Sequence, residues 1–158
     1  MFNTNNNDKN ISVLIIGVTG KTGAACLRLL SQHKSNPSIQ ALVRNPSKLS
    51  ASERAQFESI TQGDARDLGD IERALSTSKA TDVIVAVGNG DNVKKSDIRG
   101  ANARALATIL KKPAYRDVRV MVVSSSGAGE SIIKVGMGIG SLISFHLRHV
   151  LKVSWIGS

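Results

Sequence analysis

This sequence predicts an α/β fold built on one doubly wound parallel sheet in a single domain, on three observations. A continuous apolar run, Ile11 to Ile16, passes straight into glycines spaced G-x-x-G-x-x-G at Gly17, Gly20 and Gly23. Five apolar runs short enough for buried strands alternate with segments of helical periodicity. At 158 residues the chain can bury one core but not two.

Taken in order, Met1 to Asn10 is polar and Asn-rich, which predicts a disordered lead-in and no secretory signal. The first strand then runs into the glycine turn, and a helix follows to about Gln32 with Ala24, Leu27 and Leu30 at helical spacing. Strand, tight glycine turn and helix opening together suit a dinucleotide pyrophosphate. Glycines let the backbone approach the phosphates, and a helix N-terminus offers unpaired N–H groups and partial positive charge. Ser35-Asn36-Pro37-Ser38 breaks the chain before a second strand, Ile39 to Val43. A third strand, Phe57 to Gln62, ends in Gly63-Asp64-Ala65-Arg66-Asp67, and a short helix from Leu68 to Ser76 carries Ile71, Ala74 and Leu75 on one face. Thr81 to Val87 is the fourth strand and closes on Gly88-Asn89-Gly90. A helix from Ser96 to Lys111 follows, stopped by Pro113, and Asp117 to Val123 is the fifth strand, running into Ser124-Ser125-Ser126. Right-handed crossovers would set the ends of the first and fourth strands side by side, where ligands bind in such sheets.

The end of the second strand bears on which nucleotide is bound. An acidic residue there would hold the free 2′-hydroxyl of NAD, and a basic one would accommodate the 2′-phosphate of NADP. The residue is Arg44, with Lys48 four places on and no carboxylate before Glu53. A guanidinium fork matches phosphate oxygens, so NADP(H) is favoured over NAD(H). Gly63-Asp64 has two readings: a turn beneath the adenine that accepts from its amino group, or an Asx turn capping the next helix.

The net charge of +9 invites a polyanion partner, but the Lys and Arg residues are scattered, with Lys94-Lys95 and Lys111-Lys112 as the Lys-Lys pairs. Aromatics make up 3% of the chain, so base-stacking surface is scarce and nucleic acid is disfavoured as a partner. The single Cys26 cannot form an intrachain disulfide, which fits the cytoplasm or another reducing compartment, and it reads as a small buried apolar residue of the first helix. Val135 to Leu147 is too short and glycine-rich for a membrane span. His146 and His149 lack a third ligand nearby, so no metal site is expected.

The segments Gly17-Val18-Thr19-Gly20-Lys21-Thr22-Gly23, Val43-Arg44-Asn45-Pro46-Ser47-Lys48-Leu49 and Gly63-Asp64, with the serine-ended fifth strand, resemble the NAD(P)-binding NmrA-like branch of the atypical short-chain dehydrogenase/reductases. The chain is similar in this respect to flavin reductase/biliverdin reductase B-type NAD(P)H-binding proteins. The resemblance covers about Ile11 to Lys152, leaving 153–158 as a short tail, and implies a Rossmann-like domain. It implies that Gly17, Thr19, Gly20, Lys21, Thr22 and Gly23 wrap the pyrophosphate and nearby ribose, and that Arg44 and Lys48 hold the 2′-phosphate. Asp64 and Ala65 would border adenine; Ala86, Val87 and Gly88 would line the ribose–nicotinamide channel; and one of Ser124, Ser125 and Ser126 would orient the substrate.

Two departures qualify what is implied. Many short-chain dehydrogenases carry a Tyr-x-x-x-Lys pair after the fifth strand, whereas the single tyrosine here, Tyr115, precedes it. Family members also usually continue with another strand or two and further helices, so the stop at Ser158 is consistent with a C-terminally shortened chain. Two functions follow. The first is an NADPH-dependent reductase passing hydride to a small flavin, quinone or carbonyl acceptor, with the cofactor carrying the hydride. The second is a non-catalytic NADP(H)-sensing regulator or assembly subunit that docks a protein partner through the apolar stretch Ile132 to Ile143.

Overall fold

The structure, a computed structural model, describes residues 11–88 and 96–123. Strand β1 (Ser12–Ile16) lies at the centre of a five-stranded sheet with β2 (Ser38–Val43), β3 (Ser59–Gln62), β4 (Asp82–Val85) and β5 (Arg119–Val122). The order is β3-β2-β1-β4-β5 and every pairing is parallel. Winding therefore reverses between β1 and β4, and the C-terminal ends of these two strands adjoin as the sequence predicts. The fold is a Rossmann-like α/β domain.

β1 is central because it is apolar on both faces, and all five of its residues are buried. Its alternation divides the core in two. Leu14 and Ile16 join Ile71, Leu75, Val83, Val85, Leu106 and Ile109 beneath α3 (Leu68–Ser78) and α4 (Ile98–Ile109). Val13 and Ile15 join Leu27, Ile39, Ala41 and Val43 on the face covered by α1 (Lys21–Ser31). Period two along the strand thus assigns each residue to one helical layer.

Several boundaries move. Phe57 and Glu58 precede β3 instead of opening it, and α3 runs on to Ser78, where Lys79 ends it in the left-handed region at φ 47°. Between β2 and β3 the chain makes a 3-10 turn over Pro46–Lys48 and a helix, α2 (Ala51–Arg54), too short to show helical periodicity in the sequence. Asn45 accepts the Ser47 N–H to start the turn, and a reciprocal capping box between Ser50 and Glu53 starts the helix. Cys26 is half-exposed, not buried, because α1 turns Gly23 and Leu27 toward the sheet and leaves Cys26 on its flank. Among the described residues no helix is long and apolar enough to cross a membrane.

Candidate functional site: a cleft at the strand ends

The glycine turn is built by sterics. Gly17 has φ +97°, and a Cβ there would lie 2.7 Å from the carbonyl oxygen of Ala86 at the end of β4. A Cβ on Gly23 would lie 2.3 Å from the Gly17 oxygen and 2.6 Å from the Val18 Cα, so this glycine lets α1 close onto the turn. Gly20 differs. Its φ is −87°, and a Cβ would meet nothing nearer than the Gly17 oxygen at 3.5 Å. Nothing among the described residues demands glycine there, and the free face is the one a ligand would approach. Gly20 caps α1 without any side-chain hydrogen bond, and the first turn holds no acidic residue, so the partial positive charge of the helix N-terminus has no carboxylate within that turn to offset it. These features fit a pyrophosphate.

Beside this turn lies an open cleft of about 270 Å³. Gly17, Thr19, Gly20, Arg44, Ala65, Ala86, Val87 and Gly88, all named from the sequence, line it. Leu42, Val43, Gly63 and Ile98 line it as well and were not named as site residues. The two former are buried core positions whose carboxyl-side ends emerge at the sheet edge. Of the remaining residues named from the sequence, Lys21, Thr22, Gly23, Lys48 and Asp64 stand outside this lining. Gly23 is turned against the chain's own backbone, and Lys48 ends the exposed 3-10 turn. Ser124, Ser125, Ser126, the 132–143 stretch, His146, His149, the lead-in 1–10 and the tail 153–158 lie outside the described residues. Among the described residues no group of His, Cys, Asp and Glu side chains could hold a metal ion.

The loop after β3 shows what the Asp64 carboxylate does within the chain. The carboxylate of Asp64 accepts from the Arg66 N–H at 2.9 Å and from its guanidinium at 3.1 and 2.8 Å, while α3 is capped by Asp67, which accepts from Asp70 N–H at 2.8 Å. Asp64 makes an Asx turn without being the cap. Its hydrogen bond from the Arg66 side chain holds its carboxyl below the usual carboxylate range, and the neighbouring charges of Arg66 and Arg44 act in the same direction. The Asp64 N–H donates to Asp70 at 2.8 Å and, with Arg73, holds the Asp70 carboxyl low too. A Cβ on Gly63 would sit 2.7 Å from the Asp70 Cγ, so a larger residue would push aside the side chain that accepts that bond.

Two further residues brace the cleft. Asn102, 1% exposed on the core face of α4, donates from Nδ2 to the Ala65 carbonyl at 2.8 Å and ties the β3 loop to the helix. A lone amide among Ile98, Ala105, Leu106 and Ile109 is a signal the sequence offered. Arg99 donates from Nε to the Val87 carbonyl at 3.3 Å, steadying the end of β4.

The fold is shared with known proteins. A family described as NAD(P)H-binding matches residues 17–153, most of the chain. The chain belongs to that family. Its fold is similar to that of the anaerobilin reductase ChuY from Escherichia coli O157:H7, with 19% identity, a TM-score of 0.62, 89% of this chain and 64% of that one covered. A putative NAD-dependent epimerase/dehydratase from Bacillus halodurans gives 21% identity and a TM-score of 0.64 over 91% of this chain and 61% of that one. A wide-type short-chain dehydrogenase/reductase from Veillonella parvula in complex with NADP gives 17% and 0.54 over 74% and 48%. The chain thus spans less than two thirds of the length of each.

Proposed function

We propose that this chain binds NADP(H) in preference to NAD(H) and serves as an NADPH-dependent reductase for a small flavin, quinone or carbonyl acceptor. The observation that carries the reading is Arg44 at the carboxyl end of β2, lining the same cleft as Gly17 and Gly20. Gly17 and Gly20 would let the pyrophosphate approach the N-terminus of α1, with Thr19 beside them. Arg44 would pair with the 2′-phosphate, Ala65 and Ile98 would enclose the adenine, and Ala86, Val87 and Gly88 would carry the ribose toward the reacting ring. The dinucleotide, when bound, supplies the hydride. One of Ser124 to Ser126 would orient the acceptor by its hydroxyl, solvent delivering the proton. An acceptor such as a flavin needs little acid from the protein, which suits the absence of a tyrosine after β5.

Titration of the purified protein with NADPH and NADH, followed by NADPH oxidation with flavin or quinone, tests this. Tight NADPH binding, weak NADH binding and turnover lost in Arg44→Ala are expected. Tight binding without turnover on any acceptor would replace the reductase with the NADP(H)-sensing regulator.

A further inference from the structure

We propose that Arg66 sets the preference of the cleft for a nucleotide bearing a 2′-phosphate, by neutralising Asp64 at the corner where β2 and β3 end. This rests on the reading of the cleft as an NADP(H) site, and assigns a specificity role to a residue outside the glycine turn and the second strand.

The corner is defined by register. Val43 of β2 pairs with Gln62 of β3, and the Gly63 N–H donates to the Val43 carbonyl at 3.0 Å. Arg44 and Gly63 therefore follow side by side on neighbouring strands about 5 Å apart, and both line the cleft with Ala65. Asp64, between two lining residues, puts a carboxylate next to the cation that would receive the phosphate. The proximity is felt in its ionisation, since the Arg44 charge helps to hold the Asp64 carboxyl low. A phosphate dianion at Arg44 would meet that carboxylate well within a Debye length.

Arg66 removes the conflict. Its Nε and Nη2 take the two Asp64 oxygens at 3.1 and 2.8 Å, its N–H adds a third bond at 2.9 Å, and Nη1 lies 3.6 Å from the Asp97 carboxylate at the start of α4. With Arg66 in place, the charges of Arg44, Asp64, Arg66 and Asp97 cancel; without it, the corner is net negative. The pair is fork-shaped and closed by a backbone bond, so Asp64 has little freedom to turn away. Lys48, the second cation expected from the sequence, does not line the cleft.

Calorimetric titration of the full chain with adenosine 2′,5′-bisphosphate and adenosine 5′-monophosphate isolates the 2′-phosphate without requiring turnover. Arg66→Ala should lower the preference for the bisphosphate roughly tenfold, and less in high salt. Arg66→Lys, which keeps the charge, should hold it within about threefold of the parent. Asp64→Asn placed on Arg66→Ala should restore the preference, because the repelling carboxylate is gone. An unchanged preference in Arg66→Ala, or a loss that persists in the double variant, overturns the inference while leaving the nucleotide site standing. A parent chain that binds neither ligand, or both equally, overturns the NADP(H) reading and the inference with it.

Discussion

The cleft has two ends made by different means. At the β1–α1 turn the shape is set by backbone and missing side chains: Gly17 at positive φ against Ala86, Gly23 pressed on Gly17 and Val18, Gly20 open to solvent. At the β2–β3 corner the shape is set by charged side chains, Arg44, Asp64, Arg66 and Asp97, most of them well exposed. Steric construction tolerates almost no change and suits a group common to every dinucleotide. Electrostatic construction tolerates substitution and suits a group that distinguishes one dinucleotide from another. Changes at the first end should therefore cost stability as well as binding, and changes at the second should alter preference alone.

The largest effect is expected at Gly23. Gly23→Val forces atoms into the Gly17 and Val18 backbone and should destabilise the chain by about 3 kcal/mol or more, visible in urea unfolding. Gly17→Ala should follow at about 2 kcal/mol, from its positive φ and the 2.7 Å approach to Ala86. If Gly17→Ala melted like the parent, the turn would not be built by sterics. Arg44→Ala should leave the melting temperature unchanged but weaken NADPH binding by roughly one to two orders of magnitude, with NADH affected far less. Equal losses for both nucleotides would erase the distinction between the two ends.

Gly20→Ala sharpens the contrast within the turn. It should cost less than about 1 kcal/mol, the difference between glycine and alanine as a cap, yet lower affinity for NADPH and NADH alike. Acidification should show the smallest effect. The carboxyls of Asp64 and Asp70 are held below their ordinary values in the folded chain. A depressed carboxyl stabilises the fold above its unfolded pKa and loses that contribution as pH falls through the folded one. Melting temperature should thus decline as pH is lowered below about 4, and Asp70→Asn should flatten that decline. A decline of unchanged slope in Asp70→Asn would remove Asp70 from the charged corner's contribution.

What the sequence disclosed divides along the same line. The strands and the glycine turn were readable because hydrophobic runs and glycine spacing are local properties, and the crossover rule added the neighbouring ends of β1 and β4; the full order β3-β2-β1-β4-β5 is a property of the fold. The capping box is also written locally, as Ser50 and Glu53 three apart, but α2 is too short for any periodicity to accompany it. The charged corner was not legible in full. Arg44 could be read from its place at a strand end, but whether Lys48 or Arg66 stands beside it depends on how the 3-10 turn and the Asx turn orient their side chains. Ile98 lines the cleft and Asn102 bonds its Ala65 wall from α4, more than thirty residues beyond Ala65, and only the parallel crossover brings them together.

Asn102 carries one more consequence. Its bond to Ala65 and the contact of Arg66 with Asp97 join the loop after β3 to the start of α4, so two parts of one cleft wall are tied together. In the proposed NADP(H) complex that wall would let go of the nucleotide as one piece. Dissociation should follow one exponential whose rate tracks affinity across the charged-corner variants, and Asn102→Ala should split it by freeing the loop to move on its own.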